Sequence, residues 1–269
     1  MTPDTLDRPA LAPIAVRGTI AEAWRLLLAN PRQTVLPMLA VQAPVAVIVA
    51  VATAVLFLTT FSDEPAENAN KLLSDGSRTV VMALLMLTAF EALFAQVARA
   101  GTIVGAAAAA GGKHLSLPQT LDPAFTRIGG LIVMTIAFLA VIALAVVTIV
   151  GIFLLPYLAL RLVLAFEVYM LENIGPMDAF RRSWRLMSGN VLRMLGVLLI
   201  LTALFLLPLL LISTVGLIEG GSRTTTVLIN ATAALVQGLL VVPFLALVTT
   251  TTTLFYLKAK ANLDDRRPA

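Results

Sequence analysis

Long stretches without a charged residue alternate with short polar segments along this chain. Three of these stretches cover residues 129–160, 194–218 and 224–257. Each is longer than the roughly 20 residues that an α-helix needs to cross about 30 Å of hydrocarbon. A helix that is apolar on every side belongs in a large core or in a membrane, and several in one chain predict a membrane bundle.

Six spanning helices result when these stretches are divided at charges, prolines and polar loops. Four of them cover residues 35–60, 79–111, 191–215 and 224–257, and the polar loop 61–78 separates the first two. Residues 129–171 would form a single helix of about 65 Å, so we expect a hairpin with its turn at residues 150–156. The predicted fold class is all-α: a polytopic membrane helical bundle in one domain, residues 1–269.

Composition and charge placement add an orientation to this bundle. Of the 269 residues, 59% are hydrophobic and 13% charged, against about 25% charged in soluble domains. Fourteen of the nineteen lysines and arginines lie on the side of the termini, three on the other side and two inside spans. Basic residues concentrate on the cytoplasmic side, so we expect a multi-pass protein of the cell membrane with both termini cytoplasmic. This placement accounts for the net charge of +4, and we expect no nucleic-acid partner.

A charged segment, "PMDAFRRSWRLMSGN" at residues 176–190, lies between two of the most apolar stretches. Apolar side chains recur in it at helical spacing on one face, at Met177, Phe180, Trp184 and Met187. The other face carries Asp178, Arg181, Arg182 and Arg185. Pro176 suits the first turn of a helix, and Ser188-Gly189-Asn190 predicts its end. We expect this helix on the cytoplasmic surface, with Arg181, Arg182 and Arg185 facing anionic headgroups and Trp184 at interface depth.

Two other segments are similar to this one. "WRLLLAN" at residues 24–30 shares Trp, Arg, Leu and Asn with "WRLMSGN" at 184–190, and "SLPQTLDPAFTRIGG" at 116–130 is a weaker match. Each segment precedes a span, which favours three repeat units, residues 17–112, 113–172 and 173–260. In each unit a short cytoplasmic amphipathic helix precedes a membrane hairpin. Chance similarity in a leucine-rich chain is the alternative. Residues 1–16 are predicted to be disordered.

Four ionisable residues fall inside the predicted spans: Glu91, Arg99, Arg161 and Glu167. Charges at membrane depth are costly and normally face protein or water in pairs. Similar depth predicts that Glu91 pairs with Arg161, and Arg99 with Glu167 or Glu172. Either these are structural ion pairs, or they line a polar path or a cavity for lipid headgroups. Gln96, Asn230 and Gln237 could extend either arrangement.

Residues that could carry catalysis are sparse. His114 is the single histidine, in a loop beside Lys113, and no acidic cluster at ligand spacing accompanies it. There is no cysteine, nucleophile elbow, zinc-binding helix or phosphate loop. Residues 106–112, "AAAAAGG", predict a helix end with a glycine cap, and residues 249–253 are five threonines that either bond their own helix or line a path. We therefore expect no enzyme activity, cofactor or metal.

The last unit resembles a known family. Its pattern is an arginine in a span, an acidic residue, Gly-Pro, Ala, Arg-Ser-Trp and Gly-Asn, here Arg161, Glu172, Gly175-Pro176, Ala179, Arg182-Ser183-Trp184 and Gly189-Asn190. Over about forty-five residues it is similar to the membrane domain of glycerophosphoryl diester phosphodiesterases and of many multi-pass bacterial proteins. Some members add a soluble phosphodiesterase barrel after the spans. These 269 residues contain no such segment, so we expect no phosphodiesterase activity from them.

Two functions are compatible with these observations. The first is a non-catalytic integral membrane protein that associates with anionic lipids, or serves as a scaffold or partner for a membrane enzyme or transporter, or forms a homo-oligomer. The second is a transporter or lipid-moving protein that uses a polar path between its helices. Resolved lipid in a polar cavity would favour the first, and a continuous water path the second.

Overall fold

The computed structural model describes residues 14–60, 75–213 and 223–264, and over these ranges the chain is helical without a strand. The all-α prediction is therefore confirmed. The helices in chain order are α1 (Val16–Ala29), α2 (Pro31–Thr34), α3 (Leu36–Thr60), α4 (Asp75–Ala110), α5 (Leu117–Thr126), α6 (Ile128–Val147), α7 (Ile149–Leu162), α8 (Ala165–Glu172), α9 (Pro176–Leu186), α10 (Val191–Ser213) and α11 (Arg223–Asp264). Of the predicted disordered segment 1–16, residues 1–13 lie outside the described ranges. Ile14 is buried, and Val16 begins α1.

Five described stretches are long and apolar enough to cross a membrane: Leu36–Leu56, Val80–Ala110, Ile128–Val147, Phe153–Glu172 and Val241–Asp264. A sixth is obtained if α9 and α10, which meet at a bend of 98°, are taken together. Five or six candidate spans are thus present where six are predicted. The predicted loop 61–78 overlaps α4, because residues 75–78 are helical, and its remaining residues are not described.

The predicted hairpin turn at residues 150–156 is wrong by a few residues. The break between α6 and α7 is at Thr148, which has extended backbone, and residues 150–156 lie within α7. Thr148 caps the new helix, because the backbone N–H of Gly151 donates to its Oγ1 at 3.0 Å. Pro156, which suggested the turn, sits inside α7, where spanning helices tolerate proline. A second break at residues 163–164 divides the predicted fourth span into α7 and α8.

Helix ends agree with the glycine signals. Helix α4 ends at Ala110, Gly112 has φ +69°, and the N–H of Lys113 donates to the carbonyl of Ala108 at 2.9 Å. Helix α9 ends at Leu186, and Gly189 has φ +82°. The predicted cap at residues 106–112 and the predicted stop at residues 188–190 are both confirmed.

The core lies toward one end of the bundle, where α4, α8 and α11 end and where α1, α5 and α9 pack. We call this end the base. Within the stretch Val241–Asp264 of α11, 67% of the residues in an 18-residue window are buried, against 17% in such a window of Ile128–Val147 in α6. Helices α3, α4 and α8 surround α11 there. Close approach needs glycine at one point, since a Cβ on Gly105 of α4 would collide with the backbone of Gln33 in α2.

Candidate functional site

Helix α9 presents three kinds of surface at the base. Ala179, Ser183 and Leu186 are buried against the bundle. Met177 and Trp184 are exposed, by 64% and 41%, on the neighbouring face. Asp178, Arg181 and Arg185 point away from the bundle and are exposed. Met187, which we predicted to share the face of Trp184, is instead fully buried. Helix α9 therefore carries an exposed apolar strip beside exposed arginines, and it is bent by 98° from α10.

A shallow groove of about 680 Å³ follows this exposed edge of α9. Its lining combines apolar side chains with two guanidinium groups and one carboxylate: Leu162, Asp178, Phe180, Arg181, Trp184 and Arg185. Arg181 bonds Asp178 at 3.3 Å with both side chains largely exposed, so this pair holds the guanidinium only weakly. The groove can therefore accept an anionic group above an apolar wall.

Arg161 positions Trp184 at the edge of the groove. Its Nη2 and Nε donate to the Tyr157 hydroxyl at 2.6 and 2.9 Å, and its Nη1 donates to the Trp184 carbonyl at 3.3 Å. The guanidinium carbon lies 5.0 Å from the centre of the indole and 5.1 Å from that of the Tyr157 ring. The Ser183 hydroxyl donates to the Arg161 carbonyl at 2.9 Å. Together these contacts attach α9 to the end of α7.

The predicted pair between Glu91 and Arg161 is therefore wrong. Arg161 faces the aromatic side chains of Tyr157 and Trp184, and no ion pair joins it to Glu91 among the described residues. Glu91 is exposed on α4. The prediction rested on the two residues lying at equal depth in the membrane. The two side chains are on helix faces that do not point toward each other.

The predicted role of Arg182 also needs correction. Its Nε lies 3.2 Å from Glu172 Oε2, and its Nη2 lies 4.0 Å from Asp264 Oδ1, with its side chain 13% exposed. The Tyr256 hydroxyl donates to Glu172 at 2.9 Å, and Lys260 Nζ lies 3.5 Å from the same carboxylate. Arg182 lies at the border of the buried face of α9, so it ties α9 to α8 and α11 and does not face outward with Arg181 and Arg185.

A buried polar cluster lies where α4, α8 and α11 meet. Arg99 Nη2 donates to Glu167 Oε1 at 3.0 Å, and the Thr252 hydroxyl donates to the same oxygen at 2.6 Å. Arg99 also lies over the Phe166 ring, 4.8 Å from its centre. Glu167 is fully buried. The pair between Arg99 and Glu167 predicted from depth is thus present.

Three buried polar atoms on α4, α8 and α11 have no hydrogen-bond partner in the part of the chain that the structure describes. They are Glu167 Oε2, Gln96 Oε1 and Thr250 Oγ1. Thr251 and Thr253 donate to carbonyls of their own helix at 2.7 and 2.8 Å, as threonines in spans commonly do. The side chains of Asn230 and Gln237 lie outside the description. The cluster is therefore an ion pair in which one carboxylate oxygen of Glu167 has no partner among the described residues.

His114 lies in the exposed loop between α4 and α5. Its Nδ1 is 3.2 Å from Nε2 of Gln33. Within the described ranges, no group of three or more histidine, aspartate or glutamate side chains could hold a metal ion. The contacts of this histidine are those of a loop residue bonded to α2.

Sequence reasoning missed the tie between the first and last helices. Lys258 of α11 is buried, and its Nζ lies 2.6 Å from Glu22 Oε2 and 3.4 Å from Thr19 Oγ1 on α1. The two charges are 236 residues apart, so no local spacing joins them. The available signal was a lysine directly after the last predicted span, residues 224–257.

Comparison with known proteins gives one result: no protein-family model, curated protein or solved structure matches this chain.

Proposed function

We propose that this chain is a multi-pass protein of the cell membrane, with both termini cytoplasmic, that holds anionic lipid headgroups at its base without performing catalysis. The observation that carries the proposal is the outer surface of α9. Trp184 and Met177 are exposed beside Arg181 and Arg185, on a helix at 98° to α10. Such a helix places its apolar side chains in the acyl boundary and its cations among headgroups.

Charge placement supports the same orientation. The excess of lysine and arginine falls on the side of the base, and the inner leaflet carries negative surface potential. The pattern from Arg161 to Asn190 resembles the membrane domain of glycerophosphoryl diester phosphodiesterases, and the proposal includes membership of that group. In this account the base is a lipid-bound surface on which a membrane enzyme, a transporter or a second copy of the chain can assemble.

Native mass spectrometry of the detergent-extracted chain tests the headgroup site. With phosphatidylglycerol added, the parent should retain bound lipid, and Arg181→Gln with Arg185→Gln should retain roughly thirtyfold less, since each basic residue near an anionic surface contributes about 1 kcal/mol. Lys113→Gln, which removes an exposed cation from the loop before α5, should reduce retention by less than either arginine does. Equal retention by the parent and the double variant would remove the proposed site.

A lipid-moving or transport function is the second candidate, and the buried cluster favours it. Glu167 keeps an oxygen without a partner in the described residues, and Gln96 on α4 and Thr250 on α11 each keep a buried oxygen without one as well. In vesicles carrying fluorescent phosphatidylglycerol, a path through this cluster would move label between leaflets, and Glu167→Gln would abolish the movement. A structural cluster predicts no movement in either protein.

A further inference from the structure

Three short helices at the base share one docking pattern. In α1, α5 and α9, two small residues four positions apart are fully buried, and the residue after the second is an exposed aromatic. The sets are Thr19, Ala23 and Trp24; Thr120, Ala124 and Phe125; Ala179, Ser183 and Trp184. The aromatic side chains are 49%, 50% and 41% exposed. Each helix therefore presents an aromatic side chain at the same angle from its buried face.

Each of these helices packs on the second long helix of the preceding hairpin. Helix α5 packs on α4, and α9 packs on α8 and the end of α7. Helix α1, the first described helix, packs on α11 of the third unit, so the first and third units are in contact as the other neighbours are. The second helices meet at the centre, where Arg99, Glu167 and Thr252 come from one unit each. Helix α1 thus occupies the place in the first unit that α9 occupies in the third.

The local geometry of α1 matches that of α9 beyond packing. The side-chain amide of Asn30 donates to the carbonyl of Leu26 at 3.4 Å, and that of Asn190 donates to the carbonyl of Leu186 at 3.1 Å. Both asparagines end the matching motifs. Both bonds are local to a helix end, so the repeat units stay a prediction from the sequence.

The outward faces separate α1 and α9 from α5. In α1 the exposed Trp24 and Leu28 are accompanied by the exposed Arg17 and Arg25. Arg25 follows Trp24 directly, as Arg185 follows Trp184. Arg25 forms no salt bridge among the described residues, since the nearby Glu22 is held by Lys258.

Helix α5 has the same docking but no cation on this face. The positions three before and one after its aromatic Phe125 are Asp122 and Thr126, both exposed. The chain therefore contains its own counterpart of the other two helices, one that lacks a cation on this face.

We propose that α1 is a second site for anionic lipid headgroups, formed by Trp24, Arg17 and Arg25, and that α5 contacts the membrane without selecting anionic lipid. The proposal rests on the proposed function for the orientation of the base. Its ligand class is the phosphate-bearing headgroup of an anionic lipid, since exposed cations beside an exposed indole match that chemistry.

The two tryptophans of the chain make the test direct, because one is on each proposed helix. Trp184→Phe leaves Trp24 as the sole indole, and Trp24→Phe leaves Trp184. The full chain is placed in nanodiscs of phosphatidylglycerol and phosphatidylcholine in equal amounts, with bromine on the acyl chains of one lipid at a time. Trp24 fluorescence should be quenched at least about twofold more when the bromine is on phosphatidylglycerol.

Matched variants assign the selectivity to charge. Arg17→Gln with Arg25→Gln should remove the preference at Trp24, and Arg17→Lys with Arg25→Lys should keep it. Phe125→Trp, in a chain with both native tryptophans replaced by phenylalanine, should be quenched equally by the two brominated lipids.

The outcomes separate this inference from the proposed function. Equal quenching of Trp24 by both lipids, no quenching at all, or a preference that persists in the glutamine variant would each overturn the α1 site. If Trp184 shows the preference and Trp24 does not, the α9 site stands and the inference fails. If neither shows it, both fail.

Discussion

Arg99 and Arg161 are the two arginines that fall inside predicted spans, and the structure uses them in opposite ways. Arg99 turns inward from α4 to a fully buried carboxylate, Glu167. Arg161 turns outward from the end of α7 to the rings of Tyr157 and Trp184. One guanidinium joins helices through charge and the other supports an aromatic side chain at the surface. An arginine in a span therefore does not by itself indicate an ion pair, because the helix face decides its partner.

The largest expected effect follows from breaking the inward pair. Arg99→Gln leaves Glu167 buried without a cation, and loss of one partner of a buried pair costs about 3–5 kcal/mol. We expect a clear fall in the thermal midpoint of the detergent-solubilised protein, followed by size-exclusion or intrinsic fluorescence.

The double variant Arg99→Gln with Glu167→Gln is the matched control. It removes both charges and should recover part of the lost stability, since no charge is left uncompensated. If the double variant lost the sum of both single effects, the two residues would not be acting as a pair.

Replacing Arg161 should lower stability less than replacing Arg99, and it should also change the environment of Trp184. Arg161→Gln removes hydrogen bonds and two ring contacts at a half-buried site, worth about 1–2 kcal/mol together. Because Arg161 orients Trp184, we expect a shift in Trp184 emission in the Trp24→Phe background with only a modest loss of stability. Arg193→Gln, at an exposed arginine of α10, should leave the emission unchanged. An unchanged spectrum in the Arg161 variant would contradict the positioning role.

The smallest effect is expected at Glu91. This side chain is exposed and has no ion pair in the described ranges, so Glu91→Gln should leave the thermal midpoint unchanged. In a double-mutant cycle with Arg161→Gln, the coupling between the two sites should be close to zero. A coupling above about 1 kcal/mol would restore the pairing that depth predicted.

Local signals in the sequence predicted the helices well. Apolar length gave the spans, and glycines gave the ends of α4 and α9, because both depend on residues adjacent in the chain. The hairpin turn was misplaced because Pro156 was taken as a breaker, while Thr148 supplies the cap. The end of a helix at the base can therefore be predicted from the sequence where a glycine with positive φ follows the helix.

Contacts between distant segments were predictable only where depth and helix face agree. Glu91 and Arg99 are eight residues apart on α4, which is about 80° of rotation, and only Arg99 turns to α8, whereas Glu91 is exposed. Depth alone predicted the correct partner for Arg99, which is Glu167. It predicted the wrong partner for Glu91, which does not pair with Arg161. Lys258 and Glu22 have no pattern in common, since their contact depends on the packing of α1 against α11. Such contacts depend on how each helix is rotated about its axis and on which helices are neighbours, and both are set by the packing of the whole bundle.

The central claim is that the base, with α1, α5 and α9, faces the cytoplasm of a membrane-spanning bundle. The chain has no cysteine, so single introduced thiols report without background. Ser188→Cys, at an exposed position just after α9, is a better probe than the buried Ser183. A membrane-impermeant maleimide added to intact cells should label Ser62→Cys and Ser222→Cys and leave Ser188→Cys unlabelled until the membrane is opened. Labelling of Ser188→Cys from outside would contradict the orientation and, with it, both proposed headgroup sites.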